Sequence, residues 1–329
     1  MKHILITGGA GFIGSHLTEA VLTRGDHVTV VDDESTGSFE NLAAVSNHPQ
    51  LEYIRGDIGD PELAARVAAS VDEVYHLAAA VGVALIARQP METIQRNIHP
   101  TELLLELLVK RWNAGEPVKF FLASTSEVYG KNPKSNWTEE EDLVFGATTK
   151  ARWSYGASKA IDEFLALACH REYNLPVVIG RFFNVVGPRQ SGAYGMVLPR
   201  FVDAALEGEP LVVHDDGQQV RCFAHVDDVL ASVLELMRED AALGRVFNIG
   251  SDQPISILDL AHKVVDAVGS QSPIEFQSYA DAYDKDFEDV RRRVPDLTRL
   301  HETITHRIRY DLDATVRSAI EWKQAGRSE

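Results

Sequence analysis

Gly8, Gly11 and Gly14 constrain this chain more than any other residues, spaced Gly-x-x-Gly-x-x-Gly inside Thr7-Gly-Gly-Ala-Gly-Phe-Ile-Gly14. An apolar run, His3–Thr7, leads into them, and a helical pattern over Phe12–Arg24 leads away. Glycines so placed permit a tight strand-to-helix turn, close approach of the backbone to a pyrophosphate, and tight helix–strand packing. The phosphates of a dinucleotide would then meet the positive end of the helix, near Phe12 and Ile13. A strand before the turn and a helix after it are the context that this spacing requires.

Over the first two-thirds, short apolar runs alternate with helical periodicity, as a parallel sheet with crossover helices demands. Strands are expected at His3–Thr7, His27–Asp32, Leu51–Arg55, Glu73–Leu77, Val118–Ala123 and Pro176–Arg181. Helices are expected at Phe12–Arg24, Pro61–Ala69, Glu92–Trp112 and Tyr155–Glu172. Lys131–Arg152 is polar, acidic and irregular, and reads as a loop lying over the site. Beyond Arg181 come helices near Leu198–Glu207, Asp227–Arg238, Ile257–Val268 and Leu312–Lys323, with short strands at Leu211–Val213, Arg245–Ile249 and Ile274–Phe276. The fold class is therefore α/β: a Rossmann-type doubly wound parallel sheet with a smaller α+β C-terminal substrate lobe. Residues 1–181 are assigned to the first and 182–329 to the second, with interleaving segments allowed.

At 329 residues, 45% hydrophobic and 25% charged, the composition is that of an ordinary soluble globular protein. A formal net charge of −17 disfavours nucleic acid or an anionic membrane as partner. Cys169 and Cys222 lie far apart with no metal or disulfide spacing. No charged leader or spanning apolar stretch is visible, so the cytoplasm is the expected location. Thr101-Glu-Leu-Leu-Leu-Glu-Leu-Leu-Val109 is apolar around most of its circumference. It is buried on more than one side, either within the monomer or against a second copy. A homodimer through the helices near 92–112 and 155–172 is expected.

The second expected strand ends in Asp32, placed to accept hydrogen bonds from the adenosine ribose and to repel a 2′-phosphate. No Arg or Lys follows within Asp33–Gly37, so the cofactor is expected to be NAD. Asp57, after the third strand, either meets the adenine or is a solvated turn residue. Tyr155 and Lys159, four apart, lie one above the other on a helical face. A phenol of pKa ~10 is a poor base at neutral pH, and an adjacent ammonium favours its phenolate. The hydroxyl of Thr125 or of Ser126 could hold a substrate alcohol against that oxygen.

With these residues placed, the chain resembles the extended short-chain dehydrogenase/reductase family, and within it the nucleotide-sugar epimerases, dehydratases and decarboxylases. The resemblance rests on the Gly8–Gly14 loop, Asp57-Ile58, His76-Leu-Ala-Ala79, Ser124–Gly130, Tyr155-x-x-x-Lys159, Arg181-Phe-Phe-Asn184, Gly187-Pro-Arg189 and Arg221. It implies a nucleotide-sugar substrate. It makes Tyr155 the general base, with Lys159 lowering its pKa and binding the nicotinamide ribose, and Thr125 the group that orients the sugar. It places Leu77, Ala78 and Ala79 against the cofactor, and Asn184, Arg221 and Arg293 at the nucleotide diphosphate.

In this family the sugar is first oxidised, and the fate of the ketone depends on neighbouring groups. A dTDP-hexose 4,6-dehydratase carries Thr-Asp-Glu, whereas this chain reads Thr125-Ser126-Glu127 and lacks that Asp. GDP-mannose dehydratases also carry Thr-Ser-Glu, but typically with NADP and a different first loop, and match poorly. UDP-glucuronate decarboxylases carry it too, and Lys150-Ala-Arg-Trp-Ser-Tyr155 resembles the approach to the Tyr in the bacterial decarboxylase of the aminoarabinose pathway. Glu127 would assist by repelling the carboxylate or relaying a proton, with Arg293 near it; alternatively, Glu127 only hydrogen-bonds its loop. One departure stands out: Ile86 takes the place of a sugar-holding Tyr, while Arg88 nearby offers a positive charge to a uronate. The leading expectation is a UDP-glucuronate decarboxylase; the alternative is a UDP-sugar 4-epimerase acting on UDP-glucose or UDP-glucuronate, with a sugar 4,6-dehydratase ranked after both. Intact Tyr155, Lys159 and Thr125 weigh against a non-catalytic NAD-binding protein, and no metal is expected.

Overall fold

In the computed structural model, residues 1–80, 89–192, 195–282 and 288–326 are described. In chain order the strands are β1 His3–Thr7, β2 His27–Asp32, β3 Leu51–Arg55, β4 Glu73–His76, β5 Lys119–Thr125, β6 Val177–Phe182, β7 Val185–Val186, β8 Leu211–His214, β9 Val220–Cys222, β10 Ala224–His225, β11 Arg245–Ile249, β12 Pro254–Ser256 and β13 Ile274–Gln277. The principal helices are α1 Phe12–Thr23, α2 Pro61–Ala68, α3 Pro90–Asn113, α4 Ser154–Tyr173, α5 Val197–Glu207, α6 Val226–Leu236, α7 Ile257–Val268 and α8 Leu312–Ala325. No described helix is long and apolar enough to cross a membrane.

Seven strands form one parallel sheet in the order β11-β6-β5-β4-β1-β2-β3. Side chains of a strand alternate between its two faces. Ile4 and Ile6 therefore join one core with Val28, Val30, Leu17 and Val21 of α1, and Val229 and Val233 of α6. Leu5 points the other way, into a core with Val74, Phe120, Leu122, Leu104 and Leu108 of α3, and Ala166 of α4. Burial on both faces explains why these strands read as nearly continuous apolar runs. A third core joins α5, α7 and α8 through Phe201, Val202, Leu260, Val264, Val316 and Ile320.

Two expectations change. Arg245–Ile249 is a strand, yet it does not stay with the C-terminal elements; it pairs parallel with β6 and completes the main sheet. The expected loop Lys131–Arg152 is not solvated throughout: part of it packs into the core, while Arg152 lines the cavity and reaches Glu127. Trp137, 1% exposed, packs on Tyr129 and Phe183, and the buried Glu139 accepts a hydrogen bond from Asn248 N at 2.8 Å. An indole buries too much apolar surface to remain in a solvated loop.

The apolar residues of 101–109 are accounted for within the monomer: Leu104, Leu105 and Leu108 are buried, and Leu103 and Leu107 pack against the same core. Exposed apolar side chains occur elsewhere on these two helices, at Met91 and Ile94 of α3 and Ile161 and Phe164 of α4.

Candidate active site

All seven main-sheet strands run in one direction, so the loops after β1, β2, β4, β5 and β6 gather at one edge. There they line a cavity of about 710 Å³. The turn after β1 has Gly8 at φ +71°, and a Cβ on Gly8 would lie 2.8 Å from the Ala78 nitrogen. A Cβ on Gly14 would run into the Gly8 carbonyl. Helix α1 starts at Gly11 with no side-chain cap and no acid in its first turn, leaving backbone N–H groups to face the cavity beside Phe12 and Ile13. The turn is thus a cradle that a side chain would fill, ending in uncapped donors, and it fits a pyrophosphate.

Asp32 closes the far side. Its Oδ2 accepts from Ala10 N at 2.9 Å and its Oδ1 from Glu34 N at 2.8 Å. Burial raises its pKa, and these two donors oppose the rise. Asp57 both lines the cavity, beside Ile58, and accepts a turn bond from Gly59 N at 2.8 Å. Leu77, Ala78 and Ala79 line the cavity after β4. One cation absent from the reading of 33–37 comes from α3: Arg96 Nη1 lies 3.2 Å from Asp33 Oδ2 and its Nε 3.0 Å from Glu92. Two carboxylates occupy that guanidinium, so it is not a free receptor for a 2′-phosphate.

Thr125, the last residue of β5, and Tyr155, in the first turn of α4, meet across the cavity through a hydrogen bond from the Thr125 hydroxyl. Thr125 Oγ1 also accepts from Glu127 N at 3.2 Å, which shapes the turn after the strand. Gly156 lets α4 approach this turn, since a Cβ there would lie 2.5 Å from the Glu127 carbonyl. Ser126 is buried in the same turn. Burial pushes the Tyr155 phenol above its ordinary range, and Glu127 and Asp162 push the same way; Thr125 and Arg293 oppose them. Lys159 is 2% exposed and donates from Nζ to Asp162 Oδ2 at 2.8 Å.

Glu127 is held from two sides. Arg152 Nη2 lies 2.6 Å from one oxygen, and Arg293 Nη1 bonds the other. Burial alone would raise the pKa of this carboxyl, but the two guanidinium groups hold it at about 2. Arg293 also donates to Asn184 Oδ1 at 2.9 Å, and Asn184 donates to the Cys222 carbonyl at 2.7 Å. Arg221 sits further along the cavity, on both oxygens of Asp289 at 3.0 Å, with Tyr279 donating to the same carboxylate at 2.7 Å.

The structure thus brings together Thr125, Ser126, Glu127, Tyr155, Asn184, Arg221 and Arg293 around one cavity with the glycine turn, while Lys159, one turn on from Tyr155, is buried against Asp162 and does not line it. Arg88 and Ile86 lie outside the described residues. Arg152, Asp162 and Asp289 were not singled out from sequence. Arg152 carried a signal in the Lys-Ala-Arg-Trp approach to Tyr155, and Asp162 a weaker one in its i,i+3 spacing from Lys159. Among the described residues no cluster of His, Cys, Asp or Glu is arranged to hold a metal.

The family model described as GDP-mannose 4,6 dehydratase matches residues 5–319. The chain is 37% identical to the UDP-N-acetyl-alpha-D-glucosaminuronate decarboxylase of Bacillus cytotoxicus, over 98% of this chain and 97% of that one. It is 36% identical to UDP-glucuronic acid decarboxylase 4 of Arabidopsis thaliana, over 92% of this chain but only 64% of the longer plant protein. Among solved structures, the UDP-glucuronic acid 4-epimerase of Bacillus cereus, in complex with UDP-glucuronic acid and NAD, superimposes with a TM-score of 0.87 at 27% identity, covering 98% of this chain and 99% of that one.

Proposed function

The chain belongs to the extended short-chain dehydrogenase/reductase family, in its NAD-dependent nucleotide-sugar group, and we propose that it decarboxylates a UDP-hexuronate, UDP-glucuronate or its 2-acetamido counterpart. Bound NAD would supply the hydride acceptor for oxidation of the sugar and the donor for any reduction that follows. Gly8, Gly11 and Gly14 would hold its pyrophosphate, Asp32 its adenosine ribose, and Lys159 with Leu77–Ala79 its nicotinamide half. Tyr155 would take the proton of the sugar 4-hydroxyl, with Thr125 holding that hydroxyl against the phenolic oxygen. The resulting 4-ketone lies β to the C5 carboxylate. The C5–carboxylate bond then breaks, its electron pair passes into the enolate, and a proton returns to C5.

The observation that carries this reading is the carboxylate of Glu127 held between Arg152 and Arg293. Water loss needs an acid to protonate the departing hydroxyl. Position 126 is Ser, and Glu127, at a pKa of about 2, donates no proton near neutrality. Loss of carbon dioxide needs no acid in the bond-breaking step. Two guanidinium groups around one carboxylate also leave a net positive charge, which suits a uronate rather than a neutral hexose. The similarity to two decarboxylases supports the same choice. A 4-epimerase, the second reading, would share every step up to the ketone; the likeness to a uronate epimerase favours keeping it in view. Incubation with each UDP-hexuronate and NAD tests the proposal through release of carbon dioxide, and a uronate recovered with its carboxylate intact opposes it.

We assign the cofactor to residues 1–181 and the sugar nucleotide chiefly to 182–329, with β11 returned to the first unit. A homodimer through the exposed apolar faces of α3 and α4 is part of the same proposal.

A further inference from the structure

Asp162 is 0% exposed, and its Oδ2 takes the ammonium of Lys159, itself 2% exposed. Its other oxygen completes no hydrogen bond; the nearby Thr101 hydroxyl exerts only a weaker pull on the carboxylate, its proton being drawn to the Asn97 carbonyl at 3.0 Å. Such a pair makes little sense as a stabilising device. Desolvating two charges costs more than their attraction commonly returns, and an apolar pair of similar volume is often at least as stable. A buried carboxylate oxygen left without a partner adds to that cost and calls for another explanation.

We propose that Asp162 is a positioning residue for the alcohol chemistry: it fixes the Lys159 ammonium under Tyr155 and, by offsetting its charge, sets how readily Tyr155 gives up its proton. The inference rests on the reading of Tyr155 as base and Lys159 as its attendant cation, but not on which sugar is used. Lys159 and Asp162 occupy the same face of α4, one and two turns beyond Tyr155. The other charged or titratable groups around them are Glu163 on α4, paired with Arg181 of β6, and His76 of β4. On the cavity side Glu127 stands with Arg152 and Arg293. Helix α3 faces the pair with the uncharged Thr101. Asp162 is therefore the only described carboxylate bonded to Lys159 Nζ, and removing its charge leaves Glu127 as the remaining carboxylate that pushes the phenol upward.

The test uses the NAD-loaded protein with Asp162→Asn, which keeps an acceptor oxygen for Lys159. Labelling with [¹³Cζ]tyrosine, and assigning Tyr155 by its loss in Tyr155→Phe, reads the phenol's ionisation without turnover. The pH profile of kcat on a substrate that the wild type accepts reads it a second time. The expected result is a Tyr155 ionisation, and an ascending kcat limb, moved to lower pH by about one unit, with KM changed less than about threefold. An unmoved ionisation, or one moved to higher pH, overturns the proposal even if stability or kcat falls. Failure of the underlying reading looks different, since Tyr155→Phe would then keep normal turnover. Should Asp162→Asn not fold, Asp162→Ser carries the same expectation.

Discussion

Arg152 and Glu127 meet at 2.6 Å beside Tyr155, with Arg293 on the other oxygen of the same carboxylate. This contact links the approach to α4 with the turn after β5, so the residue that follows the missing dehydratase acid is a fixed anion. Glu127→Gln keeps the shape but removes the charge. We expect turnover to fall by roughly 10²-fold with NAD affinity unchanged, as measured by steady-state kinetics and calorimetric NAD titration. Wild-type turnover in this variant would reduce Glu127 to a loop-shaping residue.

The cofactor cradle predicts a separate defect. In Gly14→Ala the added methyl meets the Gly8 carbonyl oxygen and the Gly9 Cα, so the turn must open. NAD affinity should drop by at least about tenfold, a cost of about 1.4 kcal/mol. Calorimetry reads this directly, and unchanged affinity would contradict the placement of the pyrophosphate at the start of α1.

His76 couples this edge of the sheet to pH. It is 1% exposed, between Thr7 Oγ1 at 2.7 Å and Thr101 Oγ1 at 3.1 Å. Burial, helped by the charge of Lys159, lowers its pKa from 6.5 to about 3. A depressed folded-state pKa means that the unfolded chain binds the proton first as pH falls. Its stabilising contribution is therefore complete above pH 6.5 and is lost progressively toward pH 3. Glu127 behaves likewise in a lower window, from the ordinary carboxyl value of 4.5 down to about 2. Urea midpoints measured across pH 7 to 4 should fall less steeply in His76→Gln than in the wild type, and parallel curves would exclude His76 as the cause.

Phe164 is 65% exposed on α4 and Ile161, one turn before it, 44% exposed. Large apolar groups so close on one face would suit the proposed dimer contact. Sedimentation should find the wild type as a dimer and Phe164→Glu shifted toward monomer. A wild type that sediments as a monomer at micromolar concentration would rule out this interface.

The strand spans that line the site were legible because burial on both faces leaves a run of apolar residues that needs no partner to be recognised. The ends of β1 and β2 fall where the apolar runs stop, at Thr7 and Asp32. The place of Arg245–Ile249 was not legible, since nothing local in an apolar pentapeptide says that it will lie beside β6. The site divides in the same way. Gly8, Gly14, Tyr155 and Lys159 carry their chemistry in short spacings. The ion pairs that govern them join distant segments, as when Arg293 reaches Glu127 and Arg221 closes on Asp289. Which charge neutralises which is decided by the folded backbone, so a cation expected at the diphosphate was found already holding a carboxylate.

The account's central claim is that the ketone formed at Tyr155 loses a carboxylate. Mass spectrometry of products after incubation with UDP-glucuronate, UDP-N-acetylglucosaminuronate and NAD tests this most directly. The account predicts that at least one of the two loses the mass of carbon dioxide, and that Tyr155→Phe yields no product. A product that has lost water, or an epimer of unchanged mass with both uronates intact, would contradict it.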